Sequence, residues 1–286
     1  MGEARPPDAD DARPAALPPD REAGAVQLID SHAHLLHLRE GRSPEDALGA
    51  ARAAGVRAVL NIGDDDTDNQ PGIALTERIP GLRTTAGWHP HAAGGPLTSE
   101  RLHGLRRLVE HPHVVAVGEI GLDYHFTEHH RVPEASQKRA FRQMLGLSQE
   151  VGKPVVLHTR DAFPDLFAIL DEFPGVRGVF HCFSGNAAFA TEAVARGFFV
   201  SFAATVTYPG THGIQGAACV TPLHAMLVET DAPFLPPQSM RGKPNAPEFL
   251  GETVERIAAL CGVPAAEVAA ATARNATALF GLPVSD

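Results

Sequence analysis

Only three of the 286 residues are cysteines, Cys182, Cys219 and Cys261. They are too few and too scattered for a disulfide framework or a zinc ribbon, and they favour a reducing compartment, hence a cytoplasmic location. No stretch approaches the roughly 20 apolar residues of a membrane-spanning helix, so no membrane contact is expected. Positive charge is in the minority, 24 Lys and Arg against 34 Asp and Glu, and the formal net charge of -10 excludes a broad basic surface for coating nucleic acid. An anionic substrate held at one small, locally positive site stays compatible with that balance. A glycine-rich phosphate loop is also missing after the first apolar run, where Asp30-Ser31-His32-Ala33-His34 stands instead, which disfavours an open doubly wound sheet. Residues 1–24, rich in Pro, Ala, Asp and Arg and without the apolar segment of a signal peptide, read as a disordered N-terminal extension. The folded domain is then 25–286, long enough to bury a sizeable core, and nothing in its pattern calls for an obligate protein partner.

Short runs of β-favouring residues fall at 27–31, 56–62, 83–88, 114–119, 154–158, 178–182, 198–202 and 226–230. Between them lie segments with helical spacing, for example 43–54, 98–110, 133–151 and 187–196. Strands alternating with helices predict parallel βαβ units, and the span 28–281 matches the roughly 250 residues typical of a (β/α)8 TIM barrel. Extra C-terminal helices at 247–261 and 264–280 are expected to close the barrel. The loop 236–247 before them is expected on the active face.

Polar residues close these apolar runs: His32 and His34, Glu119, His158, His181 and Asp231. Because side chains alternate along a strand, His32 and His34 share a face with Asp30, Glu119 continues a row from Val115 and Val117, and His158, His181 and Asp231 continue Val156, Val179 and Leu227. Cys182, at opposite parity to His181, is expected to point outward into packing. A lone His-x-His pair or strand-end acid is most often a satisfied polar group or solvated surface. Four imidazoles and two carboxylates at separate strand tips point instead to a shared metal site, since buried polar groups need partners. His32, His34 and Asp231 are assigned to one ion and His158 and His181 to a second. Glu119 bridges them, because a carboxylate offers two oxygens and a negative charge and that strand holds no lysine to be carbamylated.

Two divalent cations against Glu119, Asp231 and an ionised water leave about one net positive charge, which favours a phosphoryl oxygen over a neutral amide. The expected chemistry is phosphodiester hydrolysis by a two-metal-activated water, with Asp231 accepting its proton and Glu119 holding the ion pair. Arg160, Arg241 and Lys243 are candidates for holding neighbouring phosphates, and His89 for a substrate contact. An imidazole-rich set suits Zn²⁺ or Mn²⁺, whereas Mg²⁺ prefers oxygen.

Read in order, Asp30-Ser31-His32-Ala33-His34-Leu35, Gly87-Trp88-His89-Pro90-His91, Gly118-Glu119-Ile120-Gly121-Leu122-Asp123-Tyr124, Leu157-His158-Thr159-Arg160-Asp161-Ala162, His181-Cys182-Phe183-Ser184-Gly185, Glu229-Thr230-Asp231-Ala232-Pro233 and Arg241-Gly242-Lys243-Pro244-Asn245 resemble the TatD family of metal-dependent deoxyribonucleases within the amidohydrolase-like barrels. Asn275-Ala276 with Leu279-Phe280-Gly281 extends the match. The resemblance implies a (β/α)8 fold, the same six ligands, two divalent ions with Mg²⁺ or Mn²⁺ supporting activity, and 3′ to 5′ exonuclease action in DNA repair. Its implied substrate is DNA with single-stranded or frayed 3′ ends, with some action on RNA. Trp88 and Ala204 depart from the family pattern and are expected to reshape the cleft. Hydrolysis of D-aminoacyl-tRNA or another ester or amide on the same barrel is the alternative reading. A noncatalytic metal-binding scaffold is disfavoured by the intact Asp231.

Overall fold

The computed structural model describes residues 27–39, 41–126 and 131–282; the extension expected at 1–24 lies outside them. Strands β1 (Leu28–Ala33), β2 (Val56–Asn61), β3 (Arg83–Ala86), β4 (Val114–Asp123), β5 (Val155–Arg160), β6 (Gly178–Phe180), β7 (Phe199–Phe202) and β8 (Met226–Val228) form one eight-stranded sheet. They pair in parallel in chain order. Helices α1 (Pro44–Ala53), α2 (Asn69–Arg78), α3 (Ser99–Val109), α4 (Glu134–Val151), α5 (Phe163–Leu170), α6 (Ala187–Ala195) and α7 (His212–Val220) connect successive strands, and α8 (Leu250–Cys261) and α9 (Ala265–Phe280) follow the last. This is the expected (β/α)8 barrel. Several helices start on side-chain caps: Ser43, Thr98 and Asn186 accept the N–H of Asp46, Arg101 and Phe189, each contributing roughly 1 kcal/mol.

The sheet closes at its strand tips through groups that β8 and β1 extend past their regular hydrogen bonding. Ala33 and Ala232 make an isolated parallel bridge, His34 N–H donates to Ala232 O at 2.7 Å and Asp231 N–H donates to His32 O at 2.9 Å. Side chains complete the seam. The Asp30 carboxyl accepts the Thr230 N–H at 2.9 Å and hydroxyl at 2.6 Å, and the Ser31 hydroxyl donates to Val228 O at 3.0 Å.

Two apolar layers hold the strands. Inside the barrel Ile29, Leu60, Ala116, Val156, Val179 and Leu227 pack with Ala276, Leu279 and Phe280 of α9, while the opposite strand faces join the outer helices in a larger core. Both C-terminal helices were expected to close the barrel, but they divide the work: α8 completes the outer ring and α9 covers the base. The Asn275 amide of α9 donates to Leu223 O at 2.7 Å, just ahead of β8, and to Met226 O at 2.8 Å, at its start.

Strand β4 corrects the simple alternation. Val117 packs with the helix-facing core and Ala116 with the interior, so Glu119 does not continue an inward row from Val117. The β4–β5 register slips between Val117 and Ile120, around the cis Gly118–Glu119 peptide, and β4 continues to Asp123 rather than ending at 119. The Glu119 N–H then donates to Gly63 O at 2.8 Å, off the ladder. β1 is likewise irregular between Asp30 and Ala33, and the Asp30 carboxyl meets Thr230 while the His32 ring meets Glu119. At Gly121, with φ of 145°, a β-carbon would lie 2.0 Å from His158 O, so only glycine lets the two strands meet there.

Candidate metal centre

At the C-terminal tips of the strands, six side chains from five strands turn into one cleft. Glu119 lies at its centre, buried, with its two oxygens facing different imidazole pairs. Oε2 is 3.2 Å from His32 Nε2 and 3.9 Å from His34 Nε2. Oε1 is 2.8 Å from His158 Nδ1 and 2.7 Å from His181 Nε2. Asp231 completes the first group, its Oδ1 3.3 Å from His34 Nε2 and 3.7 Å from His32 Nε2. Within the pairs, the two β1 nitrogens are 3.2 Å apart and those of His158 and His181 3.4 Å.

Three of the four far nitrogens have carboxylates near them, whereas His32 Nδ1 is buried without a hydrogen-bond partner among the described residues. His34 Nδ1 faces Asp64 Oδ2 at 3.3 Å, His158 Nε2 faces Asp123 Oδ2 at 3.0 Å, and His181 Nδ1 faces Glu229 Oε1 at 3.3 Å. For His158 and His181 the carboxylate is hydrogen-bonded to the outer nitrogen, which holds the imidazole proton there and turns the lone pair of the other nitrogen inward. Those lone pairs then face an anionic oxygen of Glu119, an arrangement that demands a positive charge between them.

The titration behaviour reports the same demand. Burial works against ionising His34, yet Asp64 and Asp231 hold its pKa well above the usual range. Burial opposes protonation of His181 and His158 too, and Glu119 with Glu229 for the former, Asp123 with Glu119 for the latter, still raise both. Glu119, despite burial, is held well below the carboxylate range by His181, His158 and His32, and Asp231 is lowered against burial by His34, His32 and His181. Ligand atoms of one ion with bonds near 2.1 Å sit roughly 3.0–3.5 Å apart, so the residues present fit divalent cations.

The cleft around this cluster has a volume of about 740 Å³. His89 Nε2 sits 3.5 Å from Glu119 Oε1; burial and then His158 push its pKa down to about 3, and its Nδ1 accepts the His91 N–H at 3.2 Å. His89 is therefore neutral with its proton on Nε2, aimed into the cleft. Arg160, exposed, lines the wall. Arg241 and Lys243 are not in that lining: the Arg241 guanidinium lies 4.7 Å over the Tyr208 ring, and Lys243 is exposed. Trp88 turns away from the cleft into the helix layer, donating to Asp66 at 2.7 Å beneath the Arg101 guanidinium.

The expectation for Cys182 is also overturned. Cys182 does not point outward: β6 ends at Phe180, Cys182 takes φ of 39°, and it lines the cleft beside Asp231 while its N–H donates to Glu229 at 2.6 Å. Strand parity fails once the chain leaves the strand. Alternation also passed over Asp64, Asp123 and Glu229. For two of these a signal existed, since Asp123 ends the Glu119 motif and Glu229 stands two residues before Asp231 on the same face. Phe234, half exposed, stands at the rim with its ring 5.4 Å from that of His34.

Comparison with known proteins agrees with this geometry. The family described as TatD related DNase matches residues 29–281. The chain is 35% identical to the uncharacterized metal-dependent hydrolase YabD of Bacillus subtilis over 255 residues, covering 88% of this chain and 98% of that one. It is 34% identical to the 3′-5′ ssDNA/RNA exonuclease TatD of Erwinia tasmaniensis over 275 residues, covering 89% of this chain and all of the relative. Among solved structures, the TatD homolog YJJV of Escherichia coli superposes with a TM-score of 0.82 at 30% identity, covering 91% of this chain and all of that one. An eight-stranded parallel barrel, a histidine–carboxylate cluster at its strand tips and relatives matched nearly end to end lead to one conclusion: this chain belongs to the TatD family of metal-dependent hydrolases.

Proposed function

We propose that the protein is a 3′ to 5′ exonuclease of single-stranded DNA, also acting on RNA, that uses two divalent cations. The observation that carries this reading is Glu119, one buried carboxylate whose two oxygens each face a separate imidazole pair. In this reading His32, His34 and Asp231 hold one ion, His158 and His181 the other, and Glu119 both. Bound there, the cations supply Lewis acidity toward a phosphoryl oxygen and lower the pKa of a water. The imidazole-rich donor set favours Zn²⁺ or Mn²⁺ over Mg²⁺.

The protein's own groups divide the remaining tasks. Asp231, held ionised and open to the cleft, is the proton acceptor. His89 donates from Nε2 to a substrate oxygen. Arg160, on the cleft wall, pairs with a neighbouring phosphate. The activity for which the Erwinia relative is named supports the direction and strand preference.

Chelator-stripped protein, reloaded with Mn²⁺, Zn²⁺ or Mg²⁺, should release mononucleotides from the 3′ end of a single-stranded oligomer and leave a D-aminoacyl-tRNA uncleaved. Asp231→Ala should retain the fold by circular dichroism and lose turnover by roughly 10²–10⁴-fold. Deacylation without nucleotide release, or wild-type rates in Asp231→Ala, would overturn the reading.

A further inference from the structure

Two cysteines that lie 42 residues apart in sequence meet at the base of the barrel. Cys219 is in the last turn of α7 and Cys261 ends α8; their Sγ atoms are 3.7 Å apart. Each sulfur also lies near the carbonyl that precedes its partner, Cys219 Sγ 3.5 Å from Leu260 O and Cys261 Sγ 3.6 Å from Ala218 O. The helix ends therefore approach at backbone level. Closing to a disulfide bond of about 2.05 Å asks the sulfurs to move together by roughly 1.7 Å, within the reach of side-chain rotation.

We infer that Cys219 and Cys261 form a dithiol site which hydroperoxide-class oxidants convert to an intramolecular disulfide stapling α7 to α8. Cys219 is exposed and meets the oxidant first, whereas Cys261 is half-buried. The Cys219 thiolate attacks one peroxide oxygen, the O–O bond breaks, and the leaving oxygen takes a proton, leaving Cys219 as a sulfenic acid. Cys261 sulfur then attacks Cys219 sulfur; the S–OH bond breaks, and the departing hydroxide takes the Cys261 proton as water. Burial first and then the neighbouring Cys219 push the Cys261 thiol up to about 11, which makes it the poorer nucleophile toward the oxidant and agrees with exposed Cys219 reacting first. The site sits where the helices end, on the face that α9 covers and opposite the cleft. The bond should thus constrain the unfolded chain without touching turnover. Cys182 is an internal control, a third thiol in the same chain that lines the cleft instead.

The test uses the full-length protein treated with a stoichiometric excess of hydrogen peroxide, followed by intact mass, peptide mapping and thermal melting. The expected result is a loss of about 2 Da, a mapped Cys219–Cys261 cross-link, a melting midpoint several degrees higher, and reversal by dithiothreitol. Cys219→Ser and Cys261→Ser should each abolish both the mass change and the shift. A cross-link through Cys182, accumulation of sulfinic acid at Cys219 with no cross-link, or a lowered melting midpoint in the cross-linked protein would each overturn the inference.

Discussion

Phe234 is half exposed at the lip of the cleft, on the segment that follows Asp231 and within ring contact of His34. Under the proposed function, an aromatic face left in solvent beside this centre is placed to stack on a terminal base, an interaction that alanine substitution values at roughly 1–3 kcal/mol. Phe234→Ala is expected to raise KM for a single-stranded oligomer about tenfold with kcat little changed, while an oligomer ending in an abasic nucleotide should be indifferent to the substitution. Equal effects on both substrates would remove the stacking role. At this scale the sequence was legible where a residue's direction follows from alternation within a strand, as for His158, which continues Val156 along β5. It was not legible where tertiary neighbours decide. Glu119 reaches the centre only because the β4–β5 register slips beneath it, and Cys182 turns inward only because its backbone enters the left-handed region past the strand.

Among the elements, the seam between β1 and β8 carries a titratable clamp. Burial pushes Asp30 up to about 7 although Thr230 bonds to it twice, so the folded state holds a proton that the unfolded chain releases near 4. With the folded pKa raised, this group's contribution is fully present below about 4 and lost as pH climbs toward 7, at a slope of roughly 1.4 kcal/mol per pH unit. Asp30→Asn should therefore flatten the dependence of unfolding free energy on pH across that window, read from urea melts at each pH; an unchanged slope would place the titration elsewhere. A second contact, Gly121 of β4 against His158 O of β5, leaves no room for a side chain. Gly121→Ala should cost on the order of 3 kcal/mol or more and displace His158, seen as a lower denaturation midpoint together with weakened metal uptake. Strand order and helix alternation were readable from short β-favouring runs separated by helical spacing. The division of labour between α8 and α9 was not, since both are apolar on one face and only packing decides which lies against the barrel floor.

For the whole molecule, closure of the sheet brings chemistry from five strands to one end and leaves the other end to an apolar plug. That separation lets the mouth carry strained backbone at Cys182, Asp231 and Leu235 while α9 and the barrel interior supply packing. Under the proposed function, a chain of net charge -10 would accept a polyanion because the needed positive charge is confined to ions at the histidine–carboxylate cluster. The most direct test is anomalous diffraction from crystals grown with Mn²⁺ or Zn²⁺, with metal per chain quantified in solution. The account predicts two peaks, one beside Glu119 Oε2 among His32, His34 and Asp231, the other beside Oε1 between His158 and His181, and two ions per chain. A single peak at saturating metal, or ions held by other side chains, would contradict it.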